Sequence, residues 1–239
     1  MNESLRQARS APIGRADMAV DAGLRSFMLG VYNKMALGLV LSGVLAWTVG
    51  NVPEVTALVL GTPLRFVVMF APLVILLAVP FAMRNPSPAG TSLVYWSIVS
   101  LIGLGLGTVF LRYTDASIAT AFFATAAAFG GLSLWGYTTK KDLTGFGSFL
   151  IMGLFGLIVA GIVNIFLQSA MLAFVFSAAG VLIFAGLTAY DTQRLKFTYY
   201  QLGGDARAMG VATNFGALSL YLNFVNLFNF LLALFGSRE

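Results

Sequence analysis

The chain has 239 residues, 59% of them hydrophobic and only 10% charged, with a mean hydropathy of +0.88. That balance excludes a soluble globular domain and places the chain among polytopic membrane proteins. It contains neither Cys nor His. Their absence removes disulfides, thiol chemistry, Cys/His zinc sites, haem ligation by those residues, and every triad or dyad that uses imidazole as base. The net charge of +5 and the isoelectric point near 9.7 fit cations gathered at the cytoplasmic side of a membrane, not nucleic-acid binding.

In chain order, residues 1–25 are polar, carry Arg6, Arg9, Arg15 and Arg25, and lack the apolar stretch a signal peptide needs. They read as a short, mobile cytoplasmic arm preceding one transmembrane domain, 26–239. Apolar runs follow at 27–50, 63–83, 92–111, 116–137, 146–168, 170–190 and 212–235. Each reaches or approaches the roughly 20 residues that cross a bilayer as a helix. The expected fold is therefore an all-α membrane protein with seven transmembrane helices. Pro63, Pro72 and Pro80 fall in the second run, which should be bent or broken. Trp47, Trp96 and Trp135 sit near span ends and read as interface anchors, and Asn164 as an interhelical bond.

With the N-terminus inside, the inner segments hold Arg6, Arg9, Arg15, Arg25, Lys34, Arg84, Lys140, Lys141, Arg194, Lys196 and Arg207. The outer ones hold Arg65, Arg112 and Arg238, so eleven of the 14 basic residues lie inside. Lys140, Lys141 and Asp142 read as topology determinants. The seventh run is interrupted by Asn214, Ser219, Asn223, Asn226 and Asn229. Ser219, Asn223 and Asn226 share a narrow arc, which cannot face lipid, so this helix should be central and surrounded by the other six. The stripe is either polar glue between helices or the lining of a water-accessible path.

Asp191 closes the sixth run. A carboxylate at the edge of the hydrocarbon costs up to roughly 3 kcal/mol on insertion scales if it lies at depth, so by default it marks an ion, proton or gating site. Thr188 lies one turn earlier on the same face, and Arg84 ends the second run at the expected depth of Asp191. A carboxylate that exchanges a protein cation for a proton would act as a latch. The plainer alternative is a helix end that pairs with Arg194.

Three segments, Leu132–Leu143, Tyr190–Lys196 and Ala217–Phe228, resemble the Bax inhibitor-1 family, also called the TMBIM family, in its bacterial inner-membrane branch. The resemblance implies a pH-sensitive calcium-leak channel rather than an enzyme, with a central last helix wrapped by the other six and no cofactor. It also implies two aspartates sharing a proton near the cytoplasmic mouth. The first matches Asp191, the arginine that latches it matches Arg84, and the second falls on Asn223. An amide cannot ionise, so the pH response should be shifted or lost, while an Asp191–Asn223 hydrogen bond can still join the helices. Thr188, Ser219 and Asn226 are the candidate pore lining, and Asp191 the candidate weak, transient calcium ligand. One carboxylate with a few neutral oxygens falls short of the six to eight oxygens calcium prefers, which suits passage better than tight binding.

Two other classes of function stand beside the channel. A non-conducting regulator would bind a membrane protease or another membrane partner. An aspartyl intramembrane protease would need a second carboxylate facing Asp191, and Asp205, only 14 residues on in Gly203-Gly204-Asp205, is a poor fit.

Overall fold

The computed structural model describes residues 13–237, with side chains from residue 22 onward. Residues 1–12 of the N-terminal arm lie outside the described residues. From Ile13 the chain is already helical, so the second half of the arm runs without interruption into the first span.

The described chain forms eight helices: α1 (Ile13–Asn51), α2 (Pro53–Leu60), α3 (Leu64–Ala82), α4 (Pro88–Phe110), α5 (Asp115–Thr138), α6 (Thr144–Leu167), α7 (Ala170–Leu202) and α8 (Ala206–Phe235). All except the short α2 are long and apolar enough to cross a membrane, which gives the seven expected spans. Because the spans alternate in direction, α1, α4, α6 and α8 start at the end of the bundle where α3, α5 and α7 finish. Asp191 lies toward that end, termed the Asp191 end below.

Local sequence explains the boundaries. Ser87 accepts a hydrogen bond from the Gly90 amide ahead of Pro88, Thr114 from Ser117, and Ser169 from Leu172, so three spans start on a hydroxyl cap. Asp205 caps α8 by accepting from the amides of Arg207 (2.8 Å) and Ala208 (3.0 Å). The tight α7–α8 turn is made by Gly203 and Gly204, both at positive φ, where a side chain would be strained. Asn164 does not bond a neighbouring span. Its Oδ1 accepts from the Ser169 amide and closes the α6–α7 turn beside left-handed Gln168.

The second span is not broken. Pro63 stands at the N-cap of α3, while Pro72 and Pro80 sit inside one continuous helix. Each internal proline removes one amide donor, whereas breaking the helix in hydrocarbon would leave several backbone groups unpaired, so the intact helix is the cheaper state.

The last helix is the most buried span: half of its apolar window is enclosed, against 11% for each of α3 and α6. It packs along four of the other six spans, α1, α4, α5 and α7. The expected six-helix wrapping is therefore a four-helix inner layer, with α3 against α4 and α6 against α7 on the outside. The core runs through Val31, Tyr95, Ile98, Leu220 and Tyr221, all fully buried. Polar ties cross it: Ser42 Oγ donates to Val99 O (3.0 Å) and bonds the Tyr221 hydroxyl (2.6 Å), and Tyr95 donates to Lys34 O (2.7 Å). Asn214 donates to Pro88 O and to Thr91 Oγ1, both at 2.8 Å. Trp47 and Trp135 are lipid-exposed near opposite ends of the bundle, as anchors should be, but Trp96 packs edge-on against Tyr95 beneath Lys34.

Candidate functional site

The segment Tyr190–Lys196 of α7 bonds α8, α1, α5 and the α5–α6 link. Asp191 is 6% exposed. Its Oδ2 accepts from Ser219 Oγ (2.5 Å) and from Asn223 Nδ2 (2.8 Å), one turn apart on α8. Its Oδ1 faces Arg194 Nη2 at 3.2 Å, the only ion pair among the described residues. Arg194 is half exposed, and its guanidinium lies over the Tyr190 ring at 5.7 Å. The carboxylate thus has donors on both oxygens. It is buried because α8 supplies two neutral donors and α7 itself supplies the charge.

The next residues extend the junction. Thr192 Oγ1 shares a hydrogen bond with Tyr32 of α1 (3.2 Å), lies 3.5 Å from Ser133 Oγ of α5, and donates back to Thr188 O (2.9 Å). Gln193, 4% exposed, clamps the α5–α6 link: its Oε1 accepts from the Leu143 amide and its Nε2 donates to Lys141 O, both at 2.8 Å. Lys196 Nζ donates to Tyr137 O (3.0 Å) and lies over that ring. Close packing here depends on glycines of three helices. A Cβ on Gly136 would stand 2.2 Å from Ala189 O, one on Gly147 2.3 Å from the Tyr190 ring, and one on Gly216 2.4 Å from Leu195.

Of the residues expected at the gate, Asp191 and Asn223 meet directly. Arg84 does not join them: it is exposed on the α3–α4 link, and the cation on Asp191 is Arg194. Of the expected pore lining, Ser219 reaches Asp191. Thr188 is fully buried and donates to Phe184 O of its own helix, and Asn226 donates to Leu222 O of its own helix. No group of three or more acidic, His or Cys side chains placed to hold a metal ion occurs among the described residues. A cation reaching Asp191 Oδ1 must displace Arg194. Sequence reasoning passed over Thr192, Gln193, Tyr32 and Ser133. The first two stand inside the segment Tyr190–Lys196 and Ser133 inside Leu132–Leu143, and the polarity of Thr192 and Gln193 at the end of an apolar run was the available signal.

Fold and site together define a seven-span membrane protein whose two C-terminal spans are tied by a buried carboxylate. The family described as "Inhibitor of apoptosis-promoting Bax1" matches residues 24–239, and the chain belongs to this Bax inhibitor-1 family. It is 65% identical to an uncharacterized protein of Caulobacter vibrioides, over 97% of this chain and 96% of that one. It is 41% identical to the inner membrane protein YbhL of Escherichia coli, over 94% of this chain and 98% of YbhL. Identity to the uncharacterized protein RP147 of Rickettsia prowazekii is 42%, over 92% of both chains.

Proposed function

We propose that this protein is a calcium-leak channel of the inner membrane, with the Asp191 end cytoplasmic and the gate at the Asp191–Ser219–Asn223–Arg194 cluster. The supporting observation is the placement of Asp191: one buried carboxylate joins α7 to the most enclosed helix, and its counter-charge is an arginine half in solvent. Protonation of Asp191 removes the ion pair with Arg194 and exchanges an ionic acceptor for a neutral one toward Ser219 and Asn223. Ion-pair and charge-assisted bonds both weaken, and the α7–α8 contact loosens at this end. An arriving calcium ion competes with Arg194 for Oδ1, and the few neutral oxygens nearby hold it weakly enough to let it pass.

Asp205 is spent as the α8 cap, which supports leaving protease chemistry aside. The deciding experiment is calcium flux through the purified protein in liposomes, from mildly acidic to mildly alkaline pH, beside Asp191→Asn and Asn223→Asp. Flux that varies with pH in the parent, is flat in Asp191→Asn and has a moved profile in Asn223→Asp is the expected result. No flux above empty liposomes at any pH overturns the channel and leaves the non-conducting regulator of a membrane partner.

A further inference from the structure

A crevice of about 410 Å³ opens between α1, α4, α5 and α8, in the half of the bundle away from Asp191. Its floor is the central helix, through buried Phe224 and Phe228. Its outer wall carries Trp47 and Phe122, 57% and 41% exposed. A Cβ on Gly43 would meet nothing within 4 Å, so the α1 wall is set back from its neighbours. The volume falls within the roughly 300–1,000 Å³ range of ligand sites. At the mouth, where α5 begins, stands the exposed Asp115, and no cation among the described residues lies within ion-pair distance of it.

These features select an occupant. An apolar crevice among membrane spans is bathed by lipid chains, so its natural filling is an acyl chain. The carboxylate at its rim sits at headgroup level, beside the only one of the three tryptophans at this end. A carboxylate there rewards a primary ammonium, which offers three N–H donors. We propose that this crevice is a binding site for a phospholipid with a primary ammonium headgroup, one acyl chain lying against Phe224 and Phe228 and the ammonium on Asp115. The site stands whether or not the protein conducts.

Trp47 is the reporter. A protein carrying Trp96→Phe and Trp135→Phe is placed in mixed phosphatidylethanolamine–phosphatidylcholine vesicles, with brominated acyl chains on one lipid or the other at equal mole fraction. Brominated phosphatidylethanolamine should quench Trp47 about 1.4- to fivefold more, the range a single exposed ion pair supplies. Asp115→Asn should make the two lipids equal, Asp115→Glu should keep the preference, and Gly43→Leu should displace the chain and weaken quenching by the ethanolamine lipid. Native mass spectrometry of the unaltered chain gives a second reading: retained phosphatidylethanolamine adducts in excess of phosphatidylcholine are expected. Equal quenching by the two lipids in the parent, or a preference that survives Asp115→Asn, overturns the assignment.

Discussion

Replacing Asn223 by Ala removes one of the two donors on Asp191 Oδ2, a bond of 2.8 Å, while Ser219 and Arg194 stay in place. Ala is a better helix former than Asn, so α8 itself should not suffer. A hydrogen bond to a charged acceptor contributes about 1.5–3 kcal/mol in soluble proteins. Bonds between helices in a bilayer average about 0.6 kcal/mol and reach about 1.7, because the unfolded spans also find partners. Asp191 is ionic and 6% exposed, which puts this bond at the upper end of the bilayer range, about 1–1.7 kcal/mol. A double-mutant cycle isolates it: Asp191→Ala, Asn223→Ala and the pair, each unfolded reversibly by detergent titration in mixed micelles. Pairing Asp191→Ala with Asn226→Ala is the control, since Asn226 bonds its own helix and should show no coupling. An Asp191–Asn223 coupling within the additivity error of about 0.3–0.5 kcal/mol would refute the claim that this contact ties α7 to α8.

Gly136→Ala places a methyl 2.2 Å from Ala189 O and should destabilise the bundle by about 1–3 kcal/mol, whereas Gly130→Ala meets open space and should leave stability unchanged or raise it by up to about 1 kcal/mol. Thermal unfolding followed by tryptophan fluorescence compares the two. Gln193→Leu strands the buried Leu143 amide, costing about 1–3 kcal/mol, and frees the exposed Lys141 carbonyl to water; faster hydrogen exchange at Leu143 is the expected sign. Hydrogen bonds from Thr144 hold the fully exposed Asp142 carboxyl below its ordinary range. The folded state therefore binds fewer protons than the unfolded one as pH falls, so the contribution is present at neutral pH and lost on acidification. Asp142→Asn should flatten the acid side of the stability profile, measured as thermal midpoint against pH, and a steeper acid side would contradict it.

The spans were legible because lipid leaves a helix no alternative, and each apolar run became one. Their lengths were not. The sixth run stops at residue 190 by hydropathy, yet α7 continues to Leu202, because Arg194, Leu195 and Lys196 are good helix formers whatever the solvent. Hydropathy reports where the hydrocarbon ends, not where the helix does. The polar arc on α8 marks the most enclosed span, though with four packed neighbours rather than the expected six; Ser219 and Asn223 meet Asp191, while Asn226 bonds its own helix. The partner cation was not decided by depth. Arg84 and Arg194 both lie near the Asp191 end, but Arg194 is three residues along the same helix, where geometry alone brings it to the carboxylate. Gln193 shows the remaining gap: its two partners are backbone groups 50 and 52 residues away, which no side-chain pattern announces.

The placement of α8 bears on the order of assembly. This helix fills the space shared by α1, α4, α5 and α7, yet the ribosome makes it after all four. Until it arrives, Asp191 lacks both Ser219 and Asn223, and the inner faces of the earlier spans enclose a vacancy that only lipid or an insertion factor can occupy. The first six spans are thus an unfinished ring during synthesis, and completion waits on the three-residue turn that swings α8 back into the bundle.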